Sequence, residues 1–269
     1  MKKIVSRDNP LYKRLRALAH SSRERRKQGR TVLDGMHLVS AWFERFGPPE
    51  LLVVSESGRQ RAEIRDWLTS HPQTALRLFD DTLFGEVSPV ETPAGILALV
   101  AIPRPPPQSV ERGSCVLLEA IQDAGNLGAI LRTSAAAGVS DVFLAPGCAQ
   151  AWSPRVLRAA MGAHFLLRIH EHVALERVLA AFDGLSVATA PAAASTLYET
   201  DLSGPIAWVF GNEGSGLSAR TVAASRLTVR IPMPGKTESL NVAAAVAICL
   251  FEEARQKYWS VLRKRADRA

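Results

Sequence analysis

Three short segments of this 269-residue chain combine glycines with side chains that can carry charge or hydrogen-bond, and each directly follows an apolar run. They are Gln122-Asp-Ala-Gly-Asn-Leu-Gly-Ala-Ile-Leu-Arg132, Val209-Phe-Gly-Asn-Glu-Gly-Ser-Gly-Leu217 and Ile231-Pro-Met-Pro-Gly-Lys-Thr-Glu-Ser-Leu-Asn-Val242. Glycine permits positive φ and close backbone approach, so such loops can wrap a ligand with main-chain groups. If Asn126 caps the helix that follows the first segment, Arg132 lies between one and two turns along it. A guanidinium in an otherwise Ala/Ile/Leu helix requires an anion, and two sources stay open: Asp123 of the same domain, or a bound ligand. The second segment surrounds Asn212 and Glu213 with glycines but lacks the G-x-G-x-x-G spacing of a dinucleotide site, which argues against a Rossmann dehydrogenase. Gly235-Lys236-Thr237 in the third suggests a P-loop, yet Arg230 stands where that motif needs its first glycine, so nucleotide triphosphate hydrolysis is disfavoured. Ser239 is placed to cap an Ala-rich helix running to about Arg255, with Asn241 in its first turn.

The elements that must carry these loops are strands. Val116–Ala120, Asp141–Ala145, Leu166–Ile169, Leu185–Ala190, Ile206–Gly211 and Leu227–Ile231 are short apolar runs between Ala-rich helical stretches. Continuous apolar runs of this kind fit strands of a parallel sheet buried on both faces, which places ligands at their carboxyl ends. Upstream, Pro103 to Gly113 holds four prolines in five residues and reads as a semi-rigid spacer. The predicted organisation is a small amino-terminal α/β domain over 1–102, a linker over 103–113 and a parallel α/β domain over 114–269. Within the first, a basic helix is expected over Asn9–Lys27, strands at Thr31–Asp34, Glu50–Ser55, Leu76–Phe79 and Gly95–Ala101, and helices at His37–Phe46 and Gln60–Ser70.

With 47% hydrophobic and 22% charged residues the chain can bury a core and is not disordered. No uncharged apolar run approaches the ~20 residues of a membrane span, and the charged start is unlike a signal peptide, so a cytoplasmic location is expected. Cys115, Cys148 and Cys249 have no C-x-x-C spacing and read as buried small hydrophobes rather than disulfides or metal ligands. Lys and Arg number 33 against 26 acids, a net charge of +7 that favours a polyanionic partner. Between Lys2 and Arg30 eleven basic residues face Asp8 and Glu24 alone. That one-sidedness favours phosphate contact over a merely solvated face, with Arg7, Lys13, Arg14, Arg23, Arg26 and Arg30 as RNA-binding candidates. A second basic run, Arg255 to Arg268, reads as a solvated tail.

Taken in order, the three segments resemble the three motifs of the SpoU (TrmH) family of RNA ribose 2′-O-methyltransferases, in the SPOUT superfamily. The resemblance rests on Asp123-x-x-Asn126-x-Gly128-x-x-x-Arg132, on Phe210-Gly-Asn-Glu-Gly214, and on Ile231-Pro-Met with Ser239-Leu-Asn-Val242, and covers roughly residues 114–257. The first domain resembles, more loosely, the family's RNA-substrate-binding domain through Thr31-Val-Leu-Asp-Gly-Met-His37, with Asp34 where Glu is usual, and adds His37 to the RNA-binding candidates; Ala124-Gly125 replaces the frequent Pro-Gly. The resemblance implies a carboxyl-terminal trefoil knot, a homodimer with a shared active site, and S-adenosylmethionine bound by Thr189, Ala190, Pro191, Gly211, Asn212, Gly214, Ile231, Met233 and Leu240. It implies methyl transfer to a ribose 2′-hydroxyl with Arg132 as the central residue, assisted by Asn126, Ser239 and Asn241 as orienting groups and by Glu213 as a loop or cation anchor, without a metal. Arginine stays protonated, so Arg132 is expected to stabilise the developing alkoxide and grip a phosphate rather than act as a base. Ribosomal RNA is the expected substrate; transfer RNA methylation, or a non-catalytic RNA-binding protein on the same fold, are the alternatives.

Overall fold

The computed structural model describes residues 3–90, 92–106 and 113–266, with the side chains of its last helix described as far as Tyr258. Lys2, the linker residues 107–112 and Arg268 therefore lie outside the described residues. The chain forms two compact units, Met1–Arg104 with Trp152–Phe165, and Pro105–Ala151 with Leu166–Ala269.

The first unit runs β1 (Lys3–Ile4), α1 (Pro10–His20), α2 (Ser22–Gln28), β2 (Arg30–Asp34), α3 (Met36–Phe46), β3 (Leu51–Ser55), α4 (Glu56–Gln60), α5 (Ala62–Ser70), β4 (Leu76–Phe79), α6 (Asp81–Val87) and β5 (Ile96–Ala101). Its mixed sheet has the order β1-β4-β3-β5-β2, parallel among β1, β4 and β3 and antiparallel where β5 meets β3 and β2. The expected basic helix over Asn9–Lys27 is two helices. Asn9 starts α1 by accepting from the Leu11 amide, and Pro10 follows in the first turn, where its missing N–H costs nothing. At Ser21 the chain is extended, and the Ser21 hydroxyl accepts from the Glu24 amide to start α2. The apolar face of α1, Tyr12, Leu15 and Leu18, packs with Val32, Val53, Phe79, Phe84 and Leu97. Truncating a residue as buried as Leu15 would cost about 2–5 kcal/mol. The expected helix at Gln60–Ser70 is likewise divided, at the extended Arg61, and the seven residues of α6 are too few to give a periodic signal.

The second unit continues with β6 (Cys115–Leu118), α7 (Ala124–Ala136) and β7 (Asp141–Leu144); α8 (Pro154–Ala160) then returns to the first unit. There follow β8 (Arg168–Glu171), α9 (Leu175–Ala181), β9 (Leu185–Thr189), β10 (Ser195–Thr196), β11 (Ile206–Phe210), α10 (Ala219–Ala224), β12 (Leu227–Arg230) and α11 (Val242–Ala266). Seven strands in the order β10-β12-β9-β11-β6-β7-β8 make one sheet whose described pairings are all parallel. The apolar runs β6 and β11 are buried throughout, as strands covered on both faces must be. From β6 the chain steps outward through β7 and β8, and then fills the other side with β9 to β12. The switch in direction therefore falls between β6 and β11.

Three expectations are corrected. Strand β8 lies at Arg168–Glu171 instead of Leu166–Ile169, because Arg168 and His170 both bond the buried Asp141 and polar side chains thereby enter the sheet. Residues Trp152–Phe165, expected in the second domain, belong to the first unit: the Thr31 hydroxyl donates to the Trp152 carbonyl at 2.8 Å, Arg45 donates to the Phe165 carbonyl at 3.1 Å, and the Phe165 ring meets Trp42 edge-on. Proline content marks where a chain cannot be helical, but says nothing about a later segment that buries its apolar face elsewhere. The basic run from Arg255 is a continuation of α11 rather than a tail, with Arg255 paired to Glu252 at 2.7 Å and Lys257 to Glu253 at 2.5 Å.

Candidate active site

The carboxyl ends of β9, β11 and β12 open on one cavity of about 350 Å³. Thr189, Ala190 and Pro191 line it after β9, Gly211, Asn212, Glu213 and Gly214 after β11, and Ile231, Met233, Ser239 and Leu240 after β12. All nine residues expected to hold the cofactor are thus gathered by one cavity, together with two of the five expected at the chemistry. Phe210, Arg230 and Ala245 also line it and were not foreseen, since a strand's last residue and an Ala on a helix carry no sequence signal of their own.

The loop after β11 closes on itself. The Gly216 amide donates to the Asn212 carbonyl at 2.8 Å, and the Asn212 side-chain oxygen accepts from the amides of Gly214 at 2.8 Å and Ser215 at 3.1 Å. A Cβ at Gly211 would sit 2.4 Å from Gly216 backbone atoms, so only glycine permits this closure. The other end of the Asn212 amide donates to the Ala120 carbonyl at 3.0 Å. Asn212 accordingly faces the cavity with its side chain already committed.

A directional hydrogen-bond chain links all three segments. Asn241 is the residue before α11, and its side-chain oxygen accepts from the amides of Ala243 at 2.9 Å and Ala244 at 3.3 Å. Its Nδ2 must then face away from the helix, and it donates to Asn126 Oδ1 at 2.9 Å. Asn126 in turn presents its Nδ2 to the Glu213 carboxylate, which can only accept. Backbone amides at one end and a carboxylate at the other fix which way both Asn side chains point. This arrangement corrects two capping expectations. Asp123, not Asn126, starts α7 by accepting the Asn126 amide at 2.7 Å, which leaves the Asn126 side chain for the chain of bonds. Asn241, not Ser239, caps α11; Ser239 is exposed on the cavity rim.

Arg132 is exposed and, among the described residues, has neither an ion pair nor a hydrogen bond, so the salt bridge to Asp123 is not formed. The expectation that Asn126, Ser239 and Asn241 orient it is not met within the chain either. Six residues along a helix rotate a side chain by roughly 240° and advance it by about 9 Å, which turns Arg132 away from Asn126. Burial pushes the Cys115 and Cys249 thiols well up, which leaves them inert packing groups.

The amino-terminal basic run divides into paired and unpaired cations. Lys3 pairs with Glu56 at 2.6 Å, Arg7 with Glu86, Lys13 with Asp8 at 2.9 Å and Arg30 with Glu50 at 2.8 Å. Arg25 is buried and donates to the Leu18 and Ala19 carbonyls at 2.7 and 3.1 Å, and Arg14 donates to Gln28 at 2.9 Å. His37 Nε2 lies 3.1 Å from the Met161 carbonyl. Among the described residues Arg16, Arg23, Arg26 and Lys27 are exposed without such partners, so of the expected RNA contacts only Arg23 and Arg26 stand free. An open groove of about 780 Å³ runs beside α1, lined by Arg7, Tyr12, Lys13, Arg16, His20 and Glu86 among others.

Comparison with known proteins places this geometry. The SpoU rRNA methylase family matches residues 113–251, and an MRM3-like substrate-binding domain matches residues 9–98. An uncharacterized tRNA/rRNA methyltransferase of Synechocystis is 36% identical over 95% of this chain and 94% of its own. The 23S rRNA (guanosine(2553)-2′-O)-methyltransferase RlmP of Bacillus subtilis is 30% identical over 93% of this chain and 98% of its own. Among solved structures, an RNA 2′-O ribose methyltransferase superposes with a TM-score of 0.81 at 29% identity, covering 95% of this chain and 99% of that one. An AdoMet-bound rRNA methyltransferase from Sinorhizobium meliloti gives 0.79 at 26% identity, covering 94% and 97%.

Proposed function

Because the chain belongs to the SpoU rRNA methylase family and is an S-adenosylmethionine-dependent RNA 2′-O-ribose methyltransferase, we propose that it methylates a ribose of ribosomal RNA at the site built by its three glycine-bearing segments. The observation that carries the reading is the cavity at the ends of β9, β11 and β12, joined to Asn126 by the Glu213 bond. Its size falls in the range of small-molecule pockets, its strand ends suit an adenine ring, and the glycine loop offers backbone groups to the base and ribose. The cofactor fits these residues. When bound it supplies a sulfonium-activated methyl group, a donor already activated without a metal.

The chain's own part is to present the 2′-hydroxyl and stabilise the charge it develops. The bonds from Asn241 through Asn126 to Glu213 hold the second and third segments against the first and keep polar groups at the mouth of the cavity. Among the described residues Arg132 has no ion pair or hydrogen bond of its own, so its guanidinium is available to the alkoxide and an adjacent phosphate. The proton goes to phosphate or solvent. The carboxyl-terminal knot belongs to this reading, since the segment 231–241 between β12 and α11 shares its cavity with the loops after β9 and β11.

The reading includes a homodimer. On α11, Ala244, Ile248, Phe251 and Tyr258 recur at helical spacing on a face where Phe251 is 52% and Tyr258 65% exposed. A second copy covering that face would also supply the Arg132 that helix geometry turns away from Asn126 within one chain. Sedimentation tests this: about twice the chain mass for the wild type, and half that for Phe251→Asp with loss of turnover. A monomeric wild type that remains fully active would remove the shared site. RNA enters through the cations of α1 and α2 that have no partner among the described residues, and a cytoplasmic location is part of the same reading. Among the described residues no helix is long and apolar enough to cross a membrane. The activity is tested by labelled methyl transfer to ribosomal RNA followed by mapping of ribose methylation. A 2′-deoxy substitution at the mapped nucleotide should abolish transfer, and label recovered on a base would overturn the reading.

A further inference from the structure

Beyond the three motifs, Glu119 lies at the end of β6 and outside the cavity, yet it bonds to the far end of the glycine loop. Its Oε2 accepts from the Ser218 amide at 2.9 Å, and its Oε1 accepts from the Thr221 hydroxyl at 3.1 Å. Thr221 is buried, and its hydroxyl accepts in turn from the Ser218 hydroxyl at 3.0 Å. The Glu119 amide donates to the Phe210 carbonyl at 2.9 Å, so the same residue also meets the strand from which the loop departs. The next residue, Ala120, holds the loop's entrance: its carbonyl accepts from Asn212 at 3.0 Å, and its φ of +56° is one that L residues rarely adopt. Both ends of the Gly211–Leu217 loop are therefore pinned to two consecutive residues of the β6 end, with Glu213 tied to Asn126 between them.

We propose that Glu119 is a positioning residue for cofactor binding, acting as the clamp that fixes the exit of the Gly211–Leu217 loop and so shapes one wall of the cavity. A carboxylate suits this task because it offers two acceptors at once, one for a main-chain amide and one for a hydroxyl. Without it the Ser218 amide and the buried Thr221 hydroxyl lose the acceptor that Glu119 provides, and the exit of the loop loses its tie to the β6 end. The clamp does not touch the ribose or Arg132, so it governs how tightly the cofactor is held and not the methyl-transfer step. The inference rests on the placement of S-adenosylmethionine in the cavity proposed above.

The test uses the full chain, with calorimetric titration of S-adenosylmethionine and single-turnover methyl transfer, each normalised to the folded fraction. Glu119→Ala should weaken cofactor binding by about tenfold or more, the effect of leaving a buried partner unbonded. Its rate at saturating cofactor should stay within about threefold of wild type. Glu119→Gln retains an oxygen for the Ser218 amide and should recover most of the affinity. If Glu119→Ala does not fold, Thr221→Val removes one of the two bonds and should weaken binding by a smaller factor. Unchanged affinity in a folded Glu119→Ala, or Thr221→Val, or a fall in melting temperature with normal binding by the folded fraction, overturns the clamp. Ala190→Trp separates this from the underlying assignment: it fills the cavity without touching Glu119. Normal cofactor affinity in Ala190→Trp rejects the cavity itself, whereas lost affinity there with normal affinity in Glu119→Ala rejects the clamp alone.

Discussion

At the start of the chain, Lys3, Arg7, Lys13 and Arg30 each lie against a carboxylate of their own unit, while in the second unit Arg132 stands exposed without an ion pair among the described residues. The first arrangement is what an exposed surface does with opposite charges brought close, at about 0–1 kcal/mol for each pair. The second is unusual for an arginine on an Ala- and Leu-rich helix. Around the cavity, by contrast, the neutral amides are committed: Asn241 donates to Asn126, Asn126 to the Glu213 carboxylate, and Asn212 to the Ala120 carbonyl. Charge in a sequence is thus a measure of supply, and pairing in the fold decides what is left for a ligand. Among the described residues, Arg16, Arg23, Arg26 and Lys27 on α1 and α2 are left exposed without an ion pair, and so is Arg132 on α7.

The largest effect is expected at that guanidinium. Arg132→Ala should lower the single-turnover rate by about 10²–10³ with little change in cofactor affinity, and Arg132→Lys should recover only a small part, since it lacks the planar fork. A near-normal rate in well-folded Arg132→Ala would sink the mechanism. Next comes the directional chain. Asn241→Asp keeps an acceptor for the α11 amides but turns an oxygen toward Asn126 Oδ1, so melting temperature should hold while the rate falls by about tenfold to a hundredfold. Equal losses of stability and rate would reduce Asn241 to a helix cap.

A smaller effect distinguishes the two kinds of amino-terminal cation. Replacing Arg16, Arg23, Arg26 and Lys27 with Ala should weaken RNA binding and reduce the slope of log K against log salt by about 0.7 for each single-strand phosphate left without its cation. The triple change at Arg7, Lys13 and Arg30 should alter that slope less; the reverse order would show that the ion pairs open on RNA. The smallest effect is a pH dependence. Hydrogen bonds from Arg7 and then Tyr12 hold the Glu86 carboxyl down from its usual 4.5 to about 2. A lowered folded value means that the unfolded chain binds the proton first as pH falls. The stability that wild type holds over Glu86→Gln should therefore be full above pH 4.5 and vanish as pH drops through about 2. A difference that persists below about pH 2, measured by thermal melts, would assign it to packing instead of charge.

Much of the site is readable in the sequence because its chemistry depends on local residue types. Apolar runs such as Ile206–Phe210 announce buried strands and the glycines after them a tight loop, while the nine cofactor residues that share one cavity are expected from the family resemblance. The caps expected at Asn126 and Ser239 lie a few residues away, because Asp, Asn and Ser all satisfy helix amides and only the folded chain shows which is in reach. Glu119 is not legible at all: nothing in Leu-Leu-Glu-Ala marks a carboxylate whose partners are 99 and 102 residues away.

By itself the sequence determined the parallel α/β class, the three glycine-bearing segments after apolar strands and the surplus of basic residues, since these depend on periodicity, glycine content and composition. Tertiary structure decided which cations remain unpaired, that Trp152–Phe165 is built into the first unit, and that Asn241, Asn126 and Glu213 form one chain of bonds. Those outcomes depend on distances between residues remote in sequence, and a hydrogen bond or ion pair is fixed by which partner lies within about 3 Å, a quantity that no local pattern encodes.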